Sequence, residues 1–87
     1  MKPIKVIYLT NNQILISQIE EVTSELGEPD CKMTKPFVIR NLESHILEPF
    51  LMGVTKQEYF MISSDKILTL TDPTPTLLEK YEDLIKE

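Results

Sequence analysis

Apolar positions in this chain come in short runs, and several of them alternate with polar residues at every second position, the period of a β-strand. Residues 59–71 hold the densest stretch. Tyr59, Phe60, Met61 and Ile62 are consecutive, Ser63, Ser64 and Asp65 make a tight polar connection, and Ile67, Leu68 and Leu70 follow after Lys66. This predicts two strands joined by a short corner. A strand with one face in water alternates, so these two are expected to bury both faces. A chain of 87 residues has little interior to offer them, which places part of this surface under another subunit.

Upstream, residues 4–10 are β-branched and aromatic and predict a strand. Asn11 and Asn12 supply the turn, since asparagine tolerates positive φ, and residues 13–22 return as the second arm of a hairpin. In that arm Ile14 and Ile16 lie on one face and Leu15 and Ile19 on the other, a phase shift that predicts a bulge or sharp bend. Leu15, Ile19 and Val22 also fit a helical stripe, but three isoleucines within six residues and the turn before them favour the strand. Residues 25–30 are a loop by their Gly, Pro and acids. From Cys31 to Arg40 the pattern alternates, with Cys31, Met33, Phe37 and Ile39 on one face, and Pro36 marks an edge or a bulge. Residues 41–45 form a polar turn, residues 46–52 another extended apolar run, and residues 53–57 lead into the stretch at 59–71.

After Thr71 the pattern changes period. Residues 72–76 form a Pro-rich linker, because a residue before proline is pushed out of the α region. Thr76 with Glu79 matches a capping box, and Thr74 before Pro75 offers an alternative start. Leu77, Leu78, Tyr81, Leu84 and Ile85 form one stripe of an amphipathic helix over 77–86. Such a helix docks because a sheet is there to receive it. The chain is a single domain, with the sheet over 4–71, and its core is marginal, since a domain this size buries roughly 60–65% of its unfolded surface.

Composition narrows the chemistry. No apolar run approaches the length of a membrane span, and the first residues turn polar too soon for a signal peptide. Cys31 is the lone cysteine, which excludes an intrachain disulfide and fits a reducing cytoplasm. His45, the only histidine, has no partners at catalytic or metal-ligand spacing. Glu20, Glu21, Glu25, Glu28 and Asp30 lack the oxygen spacing of a calcium loop. Ser63 and Ser64 have neither a glycine elbow nor a nearby histidine. The reading is therefore not an enzyme, with no metal and no cofactor. The net charge of −5 opposes long-range attraction of nucleic acid but leaves room for a local patch. Lys32 and Arg40 lie about 26 Å apart along their strand at ~3.3 Å per residue. Lys66 beside Ser63 and Ser64 is the better phosphate site, and Tyr8, Tyr59 and Phe60 are the aromatics that could stack a base.

Two stretches carry a family resemblance. Residues 6–14, an apolar strand, Asn11 and Asn12, then a second strand, resemble the opening hairpin of the Sm-like (LSm/Hfq-type) proteins. Residues 60–70 resemble the second Sm motif: apolar strand, polar turn, then a strand that opens on Ile67. The chain as a whole is similar to small Sm-like proteins of the marine cyanophage type. The resemblance implies a mainly β fold with one C-terminal helix, a small, strongly bent five-stranded sheet or barrel. It also implies assembly into a homo-oligomeric ring, with the strands of the second motif pairing between neighbours. That makes Tyr59, Phe60, Met61, Ile62, Ile67 and Leu68 the expected subunit interface, and Ser63, Ser64, Asp65 and Lys66 the expected RNA contacts. Departures from the family are plain. No Asn follows Glu20 and Glu21 at the matching distance, Ser63 and Ser64 stand where the family has an Arg-Gly pair, and the helix is C-terminal instead of N-terminal. Ring assembly carries over better than RNA recognition. The expected function is a non-enzymatic, ring-forming protein that binds RNA or scaffolds RNA-associated work in the cytoplasm, the host's if the gene is a phage's. The alternative is a phage accessory protein-interaction module without nucleic acid, and a third reading is a monomeric open sheet with a docked helix.

Overall fold

A computed structural model describes residues 3–41, 43–51 and 53–86. Six antiparallel strands form one sheet: β1 (Ile4–Leu9), β2 (Ile14–Glu21), β3 (Cys31–Asn41), β4 (Ile46–Pro49), β5 (Tyr59–Ile62) and β6 (Ile67–Thr71). Helix α1 (Pro75–Ile85) closes the chain. The order across the sheet is β4-β3-β2-β1-β6, with β5 also paired to β3. β4 pairs with the C-terminal half of β3, from Phe37 onward, and β5 with its N-terminal half, where Met33 faces Phe60. The two therefore lie in line along one edge of β3, an interrupted single lane. This corrects the expected count: among the described residues there are five lanes but six strands, because the lane breaks off after Pro49 and resumes at Tyr59. Lys35 N donates to Glu58 O and Phe50 N to Pro36 O (2.6 and 3.0 Å), stitching both ends of that break to β3. β5 and β6 stand at opposite ends of the sheet and do not pair, so the sheet is open and the barrel expectation is not met.

The first hairpin turns where expected, with Asn12 at φ 69° and hydrogen bonds between Leu9 and Asn12 and between Leu9 and Gln13. The bulge expected in β2 lies in β3 instead: Gln18 faces Thr34 but Ile16 faces Phe37, so β3 carries one extra residue opposite Ser17, while β2 itself alternates, with Leu15 and Ile19 on one side and Ile14 and Ile16 on the other. Lys35, at φ 52°, absorbs the distortion beside Pro36. One inserted residue flips every side chain beyond it to the other face. Hence Cys31 and Met33 do not share a face with Phe37 and Ile39 as a regular alternation predicts. Cys31 and Met33 pack with Ile7, Leu9, Leu15, Ile19 and Val38 on one side. Phe37 and Ile39 join Ile16, Leu77 and Tyr81 under the helix on the other.

α1 begins at Pro75, two residues before the expected 77, and Thr74 caps it: its Oγ accepts from Leu77 N at 3.3 Å. Proline's preset φ suits the first helical position, and Thr74 before it is held extended. The capping box at Thr76 is not used. Leu77 and Tyr81 are buried, Leu78 and Ile85 half-buried, but Leu84 is exposed. The Tyr81 hydroxyl reaches the bulge, donating to Lys35 O (2.8 Å) or Thr34 O (3.2 Å) and accepting from Gln18 N (3.2 Å). The Phe37 ring meets Tyr81 edge-on at 5.8 Å. A salt bridge of 2.5 Å between Lys5 and Asp72 holds the linker to β1.

Candidate functional site

The corner between β5 and β6 is a single 3-10 turn at Ser64–Lys66, entered from Ser63 in extended geometry. Ser63 O accepts from Lys66 N at 3.0 Å, and no side chain of the turn caps its own start. Asp30, just before β3, does so instead. Its carboxylate accepts from Ser64 N and from Ser64 Oγ, each at 2.7 Å. Those two bonds pull the Asp30 carboxyl below the ordinary aspartate value. Lys66 O accepts from Thr10 N at 2.9 Å, so the corner is tied to the end of β1 as well.

Among the expected RNA contacts, Ser64, Asp65 and Lys66 are exposed and Ser63 is half-buried. Ser64 has both its amide and its hydroxyl on a carboxylate, and an incoming phosphate would compete with that negative charge. Lys32 and Arg40 are engaged separately: the Lys32 ammonium lies 4.8 Å from the centre of the Tyr59 ring, and Arg40 Nε donates to Glu48 Oε2 at 2.8 Å. His45 sits in the β3–β4 turn at φ 54°. Among the described residues no group of three or more His, Cys, Asp or Glu side chains could hold a metal ion.

The expected interface strands do not bury both faces. In β5, Phe60 and Ile62 pack inward, with Phe60 edge-on to Phe50 at 5.3 Å, while Tyr59 and Met61 are exposed. In β6, Ile67 packs inward, but Leu68 and Leu70 are 58% and 48% exposed. Leu68 is the extra residue of a second bulge, since Tyr8 faces Thr69 while Leu9 faces Ile67. β5 pairs only with β3 and β6 only with β1, so each presents one open edge. Between β6 and the β2–β3 end lies a cleft of about 480 Å³ lined by Ile19, Cys31, Ile67, Leu68 and Leu70, with Lys5 and Glu21 among its polar residues. Burial, with the Asp30 and Glu21 carboxylates nearby, holds the Cys31 thiol above its ordinary value, so it stays protonated and is a poor nucleophile.

In the sequence Asp30 stands only as one of the loop acids, and its part in the corner has no local signature. The partner lies 34 residues away, and no local pattern marks such a contact. No helix among the described residues is long and apolar enough to cross a membrane. No curated protein matches the chain. A family model matches residues 2–86, nearly the whole chain, and the chain accordingly belongs to the family described as "Family of unknown function (DUF6561)".

Proposed function

We propose that this protein is a non-enzymatic, Sm-like scaffold that assembles into a closed homo-oligomeric ring by pairing the β5 edge of one copy with the β6 edge of the next. The observation that carries this reading is the pair of open edges flanking one short corner, both lined with exposed apolar side chains: Tyr59 and Met61 on β5, Leu68 and Leu70 on β6. Open, apolar strand edges template pairing with another chain. Two different edges on one subunit make a head-to-tail contact, which closes into a ring when the rotation per subunit divides a full turn. Five lanes of strand and the corner between β5 and β6 support the Sm-like resemblance. The cleft beside β6 gives an approaching β5 strand an apolar surface to cover. The experiment is native mass spectrometry of wild type beside Leu68→Lys: a single oligomer for the first and loss of it for the second support the ring, and a monomeric wild type refutes it.

RNA binding is the second reading, favoured by the exposed Tyr59 ring with the Lys32 ammonium over it and by the exposed Lys66. Ring faces with these groups would pair stacking with phosphate contacts. Fluorescence anisotropy with a labelled single-stranded RNA tests it. Binding that falls steeply with salt and weakens on Lys66→Ala supports it, and no binding at low salt leaves the scaffold acting on protein partners.

A further inference from the structure

In a head-to-tail ring the rotation from one copy to the next is set by the angle, inside a single copy, between the edge that gives and the edge that receives. Here those edges are β5 and β6, and the segment between them is Ser63 and the three-residue turn that follows. β5 is anchored on β3 and β6 on β1, the two strands that flank β2, so the corner joins the two outer edges of the sheet. Its first amide has no cap from within the turn. The cap comes from Asp30, at the foot of the very strand that carries β5, through two bonds of 2.7 Å. Bonds to an ionised acceptor are short and about twice as strong as neutral ones, and two of them from one carboxylate fix direction as well as distance.

We propose that Asp30 is the positioning residue of subunit assembly: by clasping the amide and hydroxyl of Ser64 it sets the angle between β5 and β6, and thereby the number of copies that close the ring. The inference rests on the edge-to-edge ring proposed above. Neither Asp30 nor Ser64 needs to touch the neighbouring copy for this. Asp30→Ala removes both bonds, Ser64→Ala removes the hydroxyl bond and keeps the amide bond, and Asp30→Asn keeps an acceptor for the amide without the charge.

Native mass spectrometry of the full chain over a hundredfold dilution series, with circular dichroism to verify folding, tests the proposal. Wild type should give one stoichiometry. Asp30→Ala should give a different or a mixed stoichiometry, or dissociate at a protein concentration at least tenfold higher, with Ser64→Ala shifted the same way by less. Should Asp30→Ala fail to fold, Ser64→Ala decides. An independent readout is the Ser64 amide proton resonance, which should titrate with an acidic midpoint in wild type and not in Asp30→Asn. Folded Asp30→Ala and Ser64→Ala with the wild-type stoichiometry and dilution behaviour would overturn the role of Asp30 and leave the ring intact. A monomeric wild type would instead remove the ring and this role together.

Discussion

Tyr81→Phe removes one oxygen atom from the most deeply buried contact between helix and sheet. The ring of Tyr81 is fully buried against Phe37 and Ile16, so the variant keeps its apolar packing and loses only the hydroxyl. That hydroxyl donates to a carbonyl of the bulge, Lys35 O at 2.8 Å, and accepts from Gln18 N at 3.2 Å on the facing strand. A hydrogen bond of this kind contributes a net ~0.5–1.5 kcal/mol, and leaving a buried polar group weakly satisfied costs ~1–3 kcal/mol. The expected loss is therefore about 1–3 kcal/mol. For a domain of this size each kcal/mol shifts Tm by roughly 4–8 °C, so a fall of about 4–24 °C follows. Leu77→Ala, which opens a cavity under the same helix, sets the scale at ~2–5 kcal/mol. Urea unfolding followed by far-ultraviolet circular dichroism, at one fixed protein concentration because assembly would add stability, measures both. A Tyr81→Phe protein within ~0.5 kcal/mol of wild type, beside a destabilised Leu77→Ala, would refute the hydroxyl's role as the pin that holds α1 on the bulge.

Further outcomes follow from the edges and the corner. Met61→Lys and Leu68→Lys place charges on exposed sites, so thermal stability of the single subunit should change by no more than ~0.5 kcal/mol while the oligomer is lost; equal loss of folding would show that these side chains are core. Because the Asp30 carboxyl is held below its ordinary value in the folded chain, its clasp stabilises the fold above the ordinary aspartate range and is lost as pH falls through the lowered value. Acid unfolding of Asp30→Asn should accordingly be less steep than that of wild type, and identical acid limbs would contradict the clasp.

Local periodicity made the strands and the helix legible. The isoleucines of β2, the Asn turn before them and the stripe through Leu77 and Tyr81 each carry their signal within a dozen residues. The bulge opposite Ser17 lies in β3 and not in β2, where the positions of Ile14, Ile16 and Ile19 suggest one. One extra residue there moved Phe37 and Ile39 to the helix face, and the alternation of Cys31, Met33, Phe37 and Ile39 conceals it. The apolar run at 46–52 reads as one strand, but strand pairing ends at Pro49 and the chain turns at Phe50 and Leu51, Leu51 with positive φ; Met52 lies outside the described residues. At the corner, the small polar turn was visible, whereas its tie to Asp30 joins positions 34 apart. The Tyr81 hydroxyl bonds span 46 residues or more, and a stripe pattern reports only that the ring is apolar.

The most direct test of edge-to-edge assembly is the native mass of the wild-type protein, by light scattering or native mass spectrometry, across a dilution series. One closed oligomer of several chains, constant in mass until it dissociates, is the expected result. A monomer at every concentration, or an open ladder of sizes that lengthens with concentration, would contradict it.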